Sequence, residues 1–369
     1  SYLPFWTELK LQFKFGQFPK IWRSEKTIKS SVIIEKRQWD LNVSKNYEQS
    51  RGEFNVIIGK LISQHLPTAY LEGYRQLVEC TNKLPWPKNP KLIFTSNSYS
   101  SDDIFKCWAA EKTEQAVPLI IGQHGGHFGM NTFALHEEHQ IKIADKWLSW
   151  GWSDIKRAKI VPIGNLKTAG RGAIYNPRGG ALMVEMDLPR YSYHLYAVPL
   201  ANQWLDYLKD QQLFLNALPE KLRSKVNLRI LDNYGWDQKD RWCSTIPDLE
   251  ISSSVQDIRK SIKKSRLFIS TYNATTYLES FSWNVPTIMF WNPNHWELNE
   301  EAKIYFKQLK LVGIFHETPE SAAKQMIKIW SDVDGWWKSE EVQNAKDHFC
   351  YNYARKLVNA PEELNFFFY

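Results

Sequence analysis

SRLFISTYNATTYLESFSWNVPTIMFW, residues 265–291, decides how the fold is read. An apolar run, RLFIST (266–271), gives way to Asn273, Thr275 and Thr276. A helical pattern over 274–283 carries Glu279, and a second apolar run, PTIMFW (286–291), starts at Pro286. Short apolar runs bounded by turn residues are strands, and strand–helix–strand order implies a parallel sheet covered on both faces. Hydroxyls and N–H groups where a helix begins make an anion site that needs no metal. A carboxylate about one turn further in suits ribose hydroxyls. Ser270, Thr271, Asn273, Thr275, Thr276 and Glu279 are therefore expected to hold a nucleotide, with ordinary helix capping as the competing role.

The same signature recurs outward from this unit. Strands are expected at KLIF (91–94), PLIIG (118–122), KWLSWG (146–151), KIVPIG (159–164), ALMVEM (181–186), NLRIL (227–231) and VGIFH (312–316). Helical patterns fall at 102–115, 196–216, 254–264, 298–309 and 318–332. The stretch LKTAGRGAIYNPRGG (166–180) has no apolar period and is rich in Gly and basic residues, so it reads as a domain boundary. The expected organisation is an N-terminal α/β domain over 1–168, a second α/β domain over 169–335 and a helical tail over 336–369 that packs back across both. Ligands of such sheets sit beyond the carboxyl ends of the strands, which makes every polar loop after a strand a candidate for an interdomain cleft.

Composition bounds the function. The 369 residues carry a net charge of +7, which favours an anionic partner. No basic run or motif calls for nucleic acid. The 17 Trp, 17 Tyr and 19 Phe include flat faces suited to sugar rings as well as large core residues. Cys80, Cys107, Cys243 and Cys350 are isolated, as in a reducing compartment. No apolar run reaches the ~18 residues of a membrane span. The aromatic, basic opening SYLPFWTELKLQFKFGQFPKIWR lies either against the body or on an anionic membrane face, and its abrupt start suggests that the natural chain extends upstream.

Four further loops hold candidate chemistry. In FTSNSYSSDD (94–103), Ser96, Asn97 and Ser98 follow a strand, and Asp102 and Asp103 open a helix; either carboxylate can serve as nucleophile or base. In IGQHGG (121–126), Gly125 and Gly126 permit close approach of a ligand, Gln123 and His124 project from the turn, and His124 can move a proton. That loop matches neither a P-loop nor G-x-G-x-x-G. In ALHEEHQ (134–140) the histidines are three apart rather than four, so a metal site is not expected. In EMDLPRYSYH (185–194) and LDNYGWDQKDRW (231–242), Arg190 and Tyr191 can clamp substrate, Tyr234 or Trp236 can stack on a base or sugar, and Asp187 and Ser192 stand beside them. No metal and no cofactor are expected.

Taken together these motifs resemble a family. The 266–290 unit looks like the donor-binding half of GT-B glycosyltransferases. FTSNSYSSDDIFKCWAAE, IGQHGGHFG, PRYSYH, FISTYNATTYLES and FWNPNHWEL (290–298) resemble transferases encoded with bacterial O-antigen and other surface-polysaccharide genes. The resemblance implies two Rossmann-like domains facing across a cleft and a metal-independent enzyme acting on a nucleotide-sugar donor. The acceptor would be a glycan or lipid-linked glycan. Its nearest analogy is the retaining β-Kdo transferases that use CMP-Kdo. On that analogy Asp103 or Asp102 attacks the anomeric carbon, and His124 assists the leaving group or the acceptor. Where related CMP-dependent enzymes often carry a His-Pro pair, this sequence has Leu231-Asp232-Asn233. The expected location is cytoplasmic, with attachment to the inner membrane face or to other polysaccharide-assembly enzymes as a further option. The alternatives are a nucleotide-sugar epimerase, a polyol-phosphate transferase, or a non-catalytic glycan-binding module.

Overall fold

The computed structural model describes residues 2–18, 52–191, 198–231 and 234–368. Ser192, Asp232 and Asn233 lie outside them. The chain divides into two compact units, one of Pro19–Leu119 and one of Ser1–Phe18 with Ile120–Tyr369.

In the smaller unit a short strand, β1 (Ile93–Thr95), follows the helix Tyr74–Asn82 and precedes the helix Asp103–Glu114. Leu77, Ile104 and Cys107 form its buried cluster, with Val78, Leu84 and Trp86 against it. The helix Asp103–Glu114 begins where it does because the Asp102 carboxylate accepts the Phe105 N–H at 3.0 Å.

The larger unit contains two parallel sheets. β2 (Leu119–Gly122), β3 (Lys146–Ser149) and β4 (Ile160–Pro162) pair in that order, with Ile121 opposite Trp147 and Leu148 opposite Val161. The second sheet has six strands: β5 (Gly180–Val184), β6 (Val226–Ile230), β7 (Glu250–Ser253), β8 (Ser265–Ser270), β9 (Thr287–Phe290) and β10 (Phe315–His316). Their spatial order is β10-β9-β8-β5-β6-β7, and every pair is parallel. The order reverses direction at β5/β8, the topological point where ligands of such sheets gather. The central strands β5, β8 and β9 are apolar and buried along nearly their whole length, as helices on both faces require.

Helix boundaries follow local chemistry. Asn299 caps Glu300–Leu311 by accepting the Ala302 N–H at 2.8 Å, and Thr318 with Pro319 opens Pro319–Ile329. The helix expected over 196–216 is Gln203–Asn216. Elements that had not been anticipated include the strand β7, the helices Glu53–His65 and Tyr74–Asn82, and the helix Gln238–Thr245 inside a stretch read as a loop. The C-terminal segment ties both sheets together. Arg355 donates its N–H to Trp150 O at 2.9 Å and accepts from Asn165 at 2.8 Å, while Ser282 donates to Ala354 O at 3.3 Å. Two Rossmann-like α/β layers with C-terminal helices packed back across them are therefore present, as expected. The stretch 166–180 separates the two sheets, whereas the compact units divide at 18/19 and 119/120.

Candidate functional site

The loop after β2 and the turn after β8 meet. The Gly126 N–H donates to Thr275 Oγ1 at 3.0 Å. A Cβ on Gly126 would stand 2.2 Å from the Ala274 carbonyl oxygen, so only glycine fits there. Gly129 adopts φ 74° and packs so closely on Trp152 that a Cβ would come within 2.5 Å of the ring. Gln123 is a buried bracket: its Oε1 accepts from Trp150 N (2.9 Å) and Trp152 Nε1 (3.2 Å), and its Nε2 donates to Gly125 O (2.8 Å). His124, half-buried, packs between the rings of Tyr2 and Phe128.

The hydroxyl-rich turn divides between framework and surface. Ser270 donates to Tyr272 O, and Thr271 donates to Val184 O and bonds Tyr207 OH. Asn273 accepts from Tyr277 OH at 2.9 Å and donates to Asn131 Oδ1 at 3.3 Å. These three side chains are almost wholly buried and hold the turn in shape. Thr276 and Glu279 line a cavity of about 310 Å³ beyond the ends of β5, β6 and β8.

Lys167, Arg171, Arg229, Arg259, Tyr272 and Trp283, absent from the sequence-level candidates, line it as well. Lys167 Nζ sits 3.0 Å from Glu279 Oε1. Burial raises the Glu279 pKa above its ordinary range, and the Lys167 charge only partly offsets this. Arg229 donates to Ser254 O at 2.8 Å and to Gln256 O, anchoring the loop after β7. Arg259 forks onto Asp257, whose carboxyl that contact pulls down to about 2. Glu185, at the end of β5, is pushed up to about 8 by burial, despite accepting from Trp242 Nε1 at 2.8 Å. Four cationic side chains thus face three carboxyl groups, and burial raises two of these, Glu185 and Glu279, toward their protonated forms. The indole N–H of Trp283 is buried without an acceptor among the described residues.

The other candidates lie elsewhere. Arg190, exposed, spreads over Trp236 with its guanidinium 5.4 Å from the ring, and donates its N–H to Tyr234 O at 3.3 Å. Asp187 accepts the Tyr234 N–H at 2.9 Å, and burial raises its carboxyl to about 6. Tyr191 and Tyr234 are exposed, and neither lines the cavity. In the smaller unit Asp103 accepts from Tyr70 OH at 2.5 Å and pairs with Lys106 at 2.9 Å. Desolvation pushes the Asp103 pKa up, but the Tyr70 and Lys106 contacts outweigh it and the net shift is downward. Asp102 is the cap described above, Ser96 is buried, Asn97 is exposed and Ser98 donates its N–H to Thr95 Oγ1. Among the described residues no group of His, Cys, Asp and Glu is arranged to hold a metal ion, and no helix is long and apolar enough to cross a membrane.

A family model described as LIC12162 family transferase matches residues 1–368. The chain belongs to this transferase family. No curated protein sequence matches it. Its fold is similar to that of Staphylococcus aureus MnaA solved with UDP, at 11% identity, TM-score 0.46, and coverage of 80% of this chain and 78% of that one. It is also similar to Acinetobacter baumannii MurG, at 12% identity, TM-score 0.43, and 82% and 78% coverage. Anabaena HepE solved with UDP and glucose is a third likeness, at 9% identity, TM-score 0.45, and 88% and 93% coverage.

Proposed function

We propose that this transferase is a glycosyltransferase whose nucleotide-sugar donor occupies the cavity at the ends of β5, β6 and β8. The observation that carries the reading is the positive excess there, joined to the start of the helix Thr275–Ser282, which no side chain caps. An anionic diphosphate or monophosphate is the complement of that wall. Lys167, Arg171 and Arg259 would neutralise the leaving phosphate, and Glu279 would take ribose hydroxyls. The Ser270–Asn273 framework shapes the turn from beneath. The finer reading is transfer of Kdo from CMP-Kdo onto a bacterial surface polysaccharide or its lipid-linked precursor, which an anionic membrane face would present to a chain of net charge +7. In that reaction Asp103 attacks the anomeric carbon and CMP departs. The acceptor hydroxyl then displaces Asp103, with His124 taking its proton. Arg190 and Tyr191 are retained as substrate-side contacts.

The test is a thermal-shift screen against CMP, UDP, GDP and dTDP, because a ligand of the native state raises apparent stability. One nucleotide is expected to raise Tm selectively. Arg171→Ala, at an exposed position, is expected to weaken it about tenfold, the size of a lost charge-assisted contact. Absence of a shift with all four nucleotides sinks the proposal.

A further inference from the structure

The helix Phe5–Lys14 has two apolar faces. Its inner face is fixed to the body of the protein: Thr7 and Leu11 are buried, as is Leu3 one turn ahead of Thr7. Thr7 Oγ1 donates to Ala169 O at 3.3 Å, and Lys14 Nζ donates to Pro361 O at 3.2 Å. The outer face meets water. Phe5, Trp6 and Phe13 are 52%, 70% and 62% exposed. Phe18, just past the turn at Gly16 (φ 65°), is 91% exposed.

At 3.6 residues per turn, Phe5, Leu9, Phe13 and Trp6 share an arc of about 100°. Lys10 and Lys14, both exposed, occupy the next ~80°. Glu8, the one carboxylate of this helix, falls outside both arcs. A water-facing aromatic cluster on an anchored helix marks an interaction surface. Its chemistry selects the partner. Exposed Trp and Phe beside exposed Lys, with no carboxylate among them, match the acyl boundary and the anionic headgroups of a lipid surface. The helix is about 15 Å long, so it can lie on a bilayer but not cross one.

We propose that the outer face of Phe5–Lys14 docks the protein on an anionic membrane. Phe5, Trp6 and Phe13 enter the acyl boundary, and Lys10 and Lys14 stand against headgroup phosphates. The helix starts beside the loop after β2, where the Tyr2 ring packs 5.7 Å from that of His124. Docking therefore brings that loop to the membrane surface, and on the transferase reading above the acceptor is lipid-linked.

The experiment is flotation of the full chain with vesicles of phosphatidylcholine, alone or mixed with phosphatidylglycerol. The chain is expected to bind the anionic vesicles about tenfold better than the neutral ones, and less well as salt rises. Trp6→Ser combined with Phe13→Ser is expected to lower binding to anionic vesicles about tenfold. Lys10→Glu is expected to lower it about tenfold as well. These side chains stand in water in the folded protein, so both variants should keep the wild-type urea midpoint and the wild-type nucleotide shift. The proposal is overturned if anionic vesicles are not bound, if neutral vesicles are bound as well as anionic ones, or if both variants bind like wild type. Absence of vesicle binding, together with a wild-type dimer that Trp6→Ser splits, would assign the face to a second copy of the chain. Absence of vesicle binding, together with a urea midpoint that Trp6→Ser lowers, would assign it to another part of the same chain. Vesicle binding without any nucleotide shift would remove the donor reading and leave the membrane face standing. A nucleotide shift without vesicle binding would do the reverse.

Discussion

Asp103 and Asp102 are neighbours in sequence with different surroundings. Asp102 spends its carboxylate on the Phe105 N–H and holds the helix start. Asp103 sits one residue on, bonded to Tyr70 and Lys106, which keep its pKa below the ordinary carboxylate range. A nucleophilic carboxylate must be ionised; Asp103 has a downward shift and no capping duty, whereas Asp102 is committed to the cap. Asp103→Asn is therefore expected to lower sugar transfer by at least about a thousandfold, while leaving the nucleotide-induced thermal shift intact. Full transfer by this variant would exclude Asp103 as the attacking group. Asp102→Ala should act differently, costing about 1 kcal/mol of stability through the lost cap. The sequence showed both acids at a helix start, but which one caps depended on a hydrogen bond that residue type does not specify.

The contact between the loop after β2 and the start of the helix Thr275–Ser282 is where two elements must approach backbone to backbone. Gly126→Ala places a methyl group 2.2 Å from the Ala274 carbonyl oxygen. A backbone neighbour cannot rotate away as a side chain can. The expected cost is about 2–3 kcal/mol, read as a lower urea midpoint at unchanged slope, together with weaker nucleotide binding. Wild-type stability in this variant would show that the two elements do not meet this way. Much at this scale was legible: nine strands were anticipated because each is an apolar run bounded by turn residues. The strand β7 was missed because EISS (250–253) offers one apolar residue; it lies at the sheet edge with no side chain fully buried. The loops were harder. Gln123 looked like a projecting ligand-binding amide, yet its partners Trp150 and Trp152 are 27 and 29 residues away. Lys167 and Arg171 read as linker because a Gly-rich, aperiodic stretch has no core face, and only the fold sets them beside Glu279.

Across the whole molecule, buried ionisable groups set how stability depends on pH. Burial raises Glu185 to about 8, Glu137 to about 7, and Asp187 and Asp210 to about 6. Each binds its proton more tightly folded than unfolded. Its contribution is complete below the unfolded value near pH 4 and is lost as pH rises through the folded value. His127 has the opposite sign: desolvation and the nearby His124 and His136 lower it to about 3. Its contribution is present above the unfolded value near 6.5 and is lost as pH falls toward 3. Below about pH 6.5 the two effects oppose each other; above it only the carboxyl groups remain, so stability should fall between pH 6.5 and 8.5. Glu185 and Glu137 together account for a loss of about 3 kcal/mol over that window, roughly 2 of it from Glu185. Glu185→Gln keeps an oxygen for the Trp242 N–H and has no proton to lose, so its urea-unfolding free energy should decline by only about 1 kcal/mol over the same window. If the variant and the wild type decline in parallel, the carboxyl group of Glu185 is not protonated in the folded protein at neutral pH. The cavity beside it would then carry one more negative charge against its four cations, and the positive excess on which the donor assignment depends would shrink by that charge.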